Sequence, residues 1–194
     1  MLRKTDQRYI RFRFDAGSIS LNFVTTVRHR GSHPRDLLID PESLLRWFEY
    51  AGFASTPSFC SFGDHKKALV LREAIHNTIR SLILNQNPCI DDIDGINKAV
   101  RFPISVPQLN SNADRILWDK PETVNARIAV IARDAVILMG EERHRLKICN
   151  SESCQMLYLD HSPGNRRRWC AMSICGNRRK VARHRERLGS AKRK

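Results

Sequence analysis

No stretch of this sequence approaches the roughly 20 consecutive apolar residues that a membrane-spanning helix needs. The most apolar runs, Ile128–Ala132 and Ala135–Met139, are short and are interrupted by Arg133 and Asp134. The N-terminal MLRKTDQRY is charged and has no apolar segment behind it, so no secretory signal is expected. A glycine-rich phosphate loop, an internal repeat and a low-complexity tract outside the basic tail are all lacking. These absences give the expectation of a soluble, cytoplasmic chain without a membrane partner. Acidic residues are scarce at one end. Residues 145–194 carry 14 Lys or Arg against 3 Asp or Glu, whereas residues 1–144 carry 20 against 17. Of the net charge of +14, a share of +11 therefore lies in the last 50 positions. An acidic partner is the first question for that end of the chain.

The 194 residues, of which 41% are hydrophobic, suffice for one compact domain or for a smaller core with an added module. Residues 1–13 read as a basic arm. Ile19, Leu21, Phe23, Val24 and Val27 fit a helix from about Ser20, although a strand period also fits. Gly31–Asp36 reads as a loop. Asp40-Pro41-Glu42 combines an N-cap acid with proline at the first helical position. Leu44, Leu45, Phe48 and Ala51 then share a face, and Gly52 ends the helix. Thr56–Gly63 is expected to be a loop, followed by a long helix on Ala68, Leu71, Ile75, Ile79 and Leu82, closed near Leu84 by Gln86-Asn87-Pro88. A short helix over Asp91–Val100 would face Ile93, Ile96 and Val100 inward. The alternation of Phe102, Ile104 and Val106 predicts a strand or hairpin arm before Pro107. Thr123–Met139 predicts the last long helix, with Gly140 just beyond its end. The expected fold is a mainly helical domain over about 14–140, with one small hairpin, followed by a module over 145–190.

Six cysteines in an intracellular chain do not suggest a disulfide framework. Cys60 and Cys89 are solitary and read as free thiols. Cys149, Cys154, Cys170 and Cys175 fall within 27 residues in the pattern C-x4-C-x15-C-x4-C. Two close pairs separated by a short insert suit one tetrahedral ion, and zinc would supply bonds that a segment too small for its own core lacks. Free thiols, an Fe–S cluster and a redox disulfide are the competing readings. Leu157-Tyr158-Leu159 is expected to be one strand, Ser162-Pro163-Gly164-Asn165 a turn and Arg167–Cys170 the returning strand. Cys175 would then sit at the start of a helix from about Asn177 to Leu188, a favourable end for an anionic thiolate centre. Four thiolates leave no open position for water, so the ion would be structural. His144 and His161 lie close enough to replace a cysteine, but local hydrogen bonding or solvent is the favoured role for both.

The segment Cys149–Arg187, centred on MLYLDHSPGNRRRWCAMSICGNRRK, resembles the CGNR-type zinc finger, whose motif is here Cys175-Gly176-Asn177-Arg178. In that family the finger follows a helical N-terminal domain called ABATE. LNFVTT (Leu21–Thr26), the loop reaching Asp36–Leu38 and DPESLLRWFEYAG (Asp40–Gly52) resemble its beginning. The resemblance covers nearly the whole chain. It implies a helical domain joined to a small zinc-bound hairpin and helix, treble-clef or ribbon-like. Family members are mostly bacterial and are described as transcription regulators, which implies DNA as a partner. The family tends to carry aspartate and asparagine where this chain has Asn22 and Thr25, so any ligand or structural network there would be altered.

The basic residues point the same way. Arg179, Arg183 and Arg187 recur every four positions and share a helix face, flanked by Arg178 and Arg185. Val181 and Leu188 are expected to dock the opposite face on the hairpin. Arg166, Arg167 and Arg168 and the terminal Lys192-Arg193-Lys194 extend the positive surface. The candidate nucleic-acid contacts are thus Arg166, Arg167, Arg178, Arg179, Arg183, Arg185 and Arg187, serving DNA or RNA. Arg168 and Arg178 also have a structural reading, as donors to carbonyls or to Asp160. Trp169 is read as the finger's small core, and Asn177 as a helix cap. A single finger has a small footprint, so a homodimer through the helical domain, or weak binding, would follow. That domain is alternatively the sensor of a small-molecule effector. Asp15, His29, His33 and Asp36 are the nearest to a catalytic set, but they form no spaced motif, and the chain is not expected to be an enzyme. A zinc-stabilised protein-interaction module is the rival reading.

Overall fold

The computed structural model of the protein describes residues 12–53, 55–119 and 122–191, with the backbone alone over 186–191. Most of the basic arm expected at the N-terminus therefore lies outside the described residues. About half of the chain is helical, with three small antiparallel hairpins among the described residues.

Helix α1 (Ile19–Val24) starts where the Ser18 hydroxyl accepts the Leu21 N–H at 3.2 Å. Asn22 is buried and its side-chain carbonyl accepts the Ala16 N–H at 3.0 Å, while the Thr25 hydroxyl donates to the Asn22 carbonyl at 2.8 Å. The two residues that depart from the family's usual pair thus form a structural network. Val27–Arg28 (β1) then pairs with Arg35–Asp36 (β2), so the segment expected to be all loop ends in a strand. Arg72 reaches across to both Asp36 carboxylate oxygens at 2.7 Å and to Thr26 Oγ1 at 3.2 Å. This long-range ion pair pins a strand too short to carry its own periodic signal.

Helix α2 (Pro41–Tyr50) opens with a reciprocal capping box between Asp40 and Ser43. Its inner face adds Trp47 to the expected Leu44 and Phe48, and Trp47 is wholly buried beside Phe23, at a centroid distance of 4.9 Å. Gly52 follows with φ +77, the left-handed conformation that ends the helix. Helix α3 (Phe62–Ile83) begins inside the segment read as a loop, because Ser61 caps it by accepting the Asp64 N–H at 3.1 Å. Ala68, Leu71, Ile75 and Ile79 are buried along it as their spacing predicts. Helix α4 (Ile90–Val100) buries Ile96.

Strands β3 (Pro107–Leu109) and β4 (Ile116–Trp118) form the second hairpin. The strand begins at Pro107, where it was expected to end. Val106 is drawn into the pairing by Asp119, whose carboxylate accepts its N–H at 2.7 Å. Pro107 is tolerated because it opens the strand and sits on an edge. Helix α5 (Val124–Glu141) passes through Gly140 instead of stopping before it, and a 3-10 turn, Arg143–Arg145, leads on. Gly140 has no neighbour that would meet a Cβ, so no close contact demands glycine there.

The apolar interior is continuous from Ala16 through α1, α3 and α5 to Leu146, Leu157, Tyr158, Leu159 and the four clustered cysteines. The Leu159 N–H donates to the Ala16 carbonyl at 2.8 Å. At Gly31 the fit is tighter still, since a Cβ there would stand 1.7 Å from the Glu152 carbonyl oxygen. A cavity of about 220 Å³ remains between α3 and the C-terminal part, lined by Arg30, Pro34, His76, Arg80, Ile148, Gln155 and Leu157. Burial, joined by the charges of Arg30 and Arg80, lowers the His76 pKa to about 4.

Two expectations follow from this packing. Gly31→Ala should destabilise the protein by about 1–3 kcal/mol, measured by urea unfolding, because the loop must withdraw from Glu152. His76 is neutral when folded but takes a proton near pH 6.5 when unfolded. Its contribution is therefore present above pH 6.5 and is lost as pH falls towards 4. His76→Gln should flatten that part of the stability profile between pH 7 and pH 5.

Candidate metal centre and basic helix

Strands β5 (Leu146–Ile148) and β6 (Leu157–Leu159) pair in the register Leu146↔Leu159, Lys147↔Tyr158 and Ile148↔Leu157. Strand β6 is where it was predicted, but its partner is upstream and not Arg167–Cys170, which has no strand structure. The reason is a set of side-chain bonds that take up the returning backbone. Buried Asp160 accepts the N–H groups of Ser162 (2.9 Å) and Arg167 (2.8 Å) and the Ser162 hydroxyl (2.6 Å). Burial opposes the charge of Asp160, yet these bonds outweigh it and hold the carboxyl below its usual range. The Tyr158 hydroxyl donates to the Arg167 carbonyl at 2.8 Å. The turn at Ser162–Asn165 forms as expected, with Gly164 and Asn165 at positive φ.

The pairing places Cys149 directly after β5, its N–H donating to the Met156 carbonyl at 2.9 Å, and Cys154 in the turn beyond. Cys170 ends the irregular return. Cys175 lies in a wide turn, Met172–Gly176, that runs straight into helix α6 (Asn177–Ala191). The four Sγ atoms all lie within 4.8 Å of one another. Cys154 and Cys170 are separated by 3.8 Å, Cys170 and Cys175 by 3.7 Å. A tetrahedron with Zn–S bonds of about 2.3 Å has edges of about 3.8 Å, so the spacing fits one zinc ion. Cys149, Cys170 and Cys175 are buried. At this spacing four thiolates repel one another, a conflict that a zinc ion among them relieves. Four thiolates fill the shell, so the zinc is structural. His144 and His161 are exposed and do not join the cluster.

The cations around this centre come from far upstream, and no local pattern announces them. Arg13 Nη1 lies 3.6 Å from Cys170 Sγ, with its side chain only 9% exposed. Arg28 lies against the same cysteines, lining a small gap with Arg13, Cys154 and Cys175. A zinc ion with four thiolates carries two negative charges, and these two guanidinium groups offset them. Arg13 belongs to the expected basic arm, and no spacing rule connects position 13 with position 170.

The predicted basic residues separate into two groups. Arg178, Arg179, Lys180, Arg183 and Arg185 are exposed on α6 and enter no ion pair among the described residues. Arg166 is exposed on the turn. Arg167 is engaged internally, its guanidinium 4.9 Å from the Tyr158 ring centroid and bonded to the Cys170 carbonyl. Arg168 stands over Trp169, which packs half-buried against the core as expected. Val181 does not dock as predicted. It is 49% exposed, and α6 packs chiefly on the Met172–Gly176 turn that precedes it. Asn177 is not the cap either: it already has helical φ, and its amide donates to the Ser173 carbonyl at 3.3 Å. The side chains of Arg187 and Leu188, and all of Lys192–Lys194, lie outside the described residues. Asp15 pairs with Arg13 and Asp36 with Arg72, while His33 is exposed.

The family model of the CGNR zinc finger matches residues 145–188. The ABATE model, described as "Putative stress-induced transcription regulator", matches residues 17–142. No curated protein matches the chain. Among the described residues no helix is long and apolar enough to cross a membrane.

Elemental analysis of the purified protein should find about one zinc per chain, released as pH falls and the thiolates take up protons. Cys175→Ser should lower that content and expose residues 145–191 to protease, while far-UV circular dichroism keeps most of the helical signal.

Proposed function

The chain belongs to the ABATE family and carries a CGNR zinc finger at its C-terminal end, and on that footing we propose that it is a transcription regulator binding duplex DNA through helix α6. The observation that carries this reading is the row of exposed guanidinium groups leaving the zinc centre. Arg179 and Arg183 are one turn apart on one face with Lys180 beside them, while Arg178 and Arg185 are exposed on the other side of the same helix. A helix fits the major groove, and cations without acidic partners are available to phosphate. Zinc supports this by fixing the first turn of α6, so the charge leaves the finger in a set direction. Arg166 extends the surface from the neighbouring turn. Arg167 and the bound carbonyls around it hold the platform and do not touch the polymer.

In this reading the helical part serves regulation, through assembly or an effector, and the chain acts in the cytoplasm without a catalytic step. The α3–finger cavity, with Arg30, His76, Arg80 and Gln155 on its wall, favours a polar effector over an apolar one.

Binding of random duplex DNA, followed by fluorescence anisotropy across a salt series, tests the proposal. Arg179→Ala with Arg183→Ala should weaken binding and reduce the slope of log K against log salt by about 2. Arg167→Ala should instead lower thermal stability with little change in slope. A parent protein that binds no duplex even at low salt would favour the protein-interaction module, and preference for single-stranded RNA in competition would redirect the reading to RNA.

A further inference from the structure

The β3–β4 hairpin is the least covered element of the fold. Leu109, Ile116 and Leu117 are 68%, 61% and 49% exposed, and among the described residues no third strand pairs with it. A lone two-stranded hairpin is marginal in water, and an apolar, proline-free edge is a template for another strand. Strand β3 is blunted by Pro107. Strand β4, Ile116-Leu117-Trp118, is not blunted by any proline or charge.

The hydrogen bonds fix which groups face outward. The Asp119 N–H donates to the Val106 carbonyl, and the Asn110 N–H to the Arg115 carbonyl. With Gln108 opposite Leu117, the backbone groups of residues 115, 117 and 119 point towards β3. Those of Ile116 and Trp118 therefore point away, at the free edge. A two-fold axis through Leu117 would set Ile116 of one copy against Trp118 of the other, with their outward N–H and C=O groups in hydrogen-bonding register. It would also place Leu117 against its own copy, and Arg115 against Asp119, twice. Arg115 is 74% exposed and holds only a distant contact of 3.7 Å with Asp114. Asp119 is anchored at its strand end by the Val106 N–H and the Ser105 hydroxyl. The segment Arg-Ile-Leu-Trp-Asp is thus self-complementary in charge, apolar content and hydrogen-bond phase when read against itself antiparallel.

We propose that two copies of this chain associate through antiparallel β4–β4 pairing centred on Leu117, making one four-stranded sheet from two hairpins. The pairing is isologous, so it closes at a dimer and leaves no further β4 edge. The pairing stands whether or not α6 binds DNA. It would, however, present two fingers at a fixed separation.

The test uses the full zinc-loaded chain in sedimentation velocity over a concentration series. The parent should sediment as a dimer. Leu117→Lys and Leu117→Asp each put like charges in direct opposition and should each be monomeric, with unchanged zinc content and circular dichroism. An equimolar mixture of the two should recover the dimer, at least roughly tenfold tighter than either variant alone. Arg115→Glu, at an exposed position that should not affect folding, should weaken the parent dimer by facing Asp119 of the other copy. A parent that stays monomeric throughout, a Leu117 variant that remains dimeric, a mixture that fails to recover, or an Arg115→Glu dimer as tight as the parent would each overturn the pairing.

Discussion

Four sulfur atoms within 4.8 Å of one another are unfavourable neighbours unless a cation sits among them. Their ionised forms repel, and their protonated forms are weak hydrogen-bonding partners in a buried site. A zinc ion turns that conflict into four strong bonds, and the local architecture follows from it. The turn between β5 and β6 holds the first two ligands. The irregular return, held open by Asp160, brings the third. The wide turn before α6 brings the fourth and sets the axis of the basic helix. Among the described residues Val181, half exposed, gives α6 little apolar packing to fix that axis.

The centre is not insulated from the rest of the molecule. Leu159 shares a backbone bond with Ala16, Gly17 and Gly31 admit close backbone approach, and Arg13 and Arg28 lean on the thiolate cluster. The two regions matched by separate family models are therefore joined by an apolar interior and by complementary charge. The helical part supplies Arg13 and Arg28 to the negative centre, and Arg178 at the start of α6 lines the same gap.

What was legible in the sequence was whatever depends on local spacing. The stripes of α2, α3 and α5, the Asp40 cap and the four ligands at C-x4-C-x15-C-x4-C all express short-range periodicity or valence. The errors arose where a distant residue decided the outcome. Strand β2 exists because Arg72 holds Asp36. The start of β3 was misplaced because Asp119 takes the Val106 N–H. The partner of β6 was misassigned because Asp160 and Tyr158 occupy the returning backbone with side-chain bonds. Arg13 falls in the expected basic arm, and nothing near it in the chain marks it as a neighbour of Cys170. Position 47 was a narrower failure: the stripe containing Leu44 and Phe48 has room for Trp47, the largest wholly buried side chain.

The placement of Arg13 ties metal retention to the fold by reciprocity. A guanidinium that stabilises the loaded centre binds the zinc-free centre less well, so the ion and residues 12–18 strengthen each other's hold by the same free energy. Events on the helical part that draw Arg13 away are thereby felt as a lower zinc affinity. Loss of the ion is felt in turn at α1, which packs on β6 beside the finger.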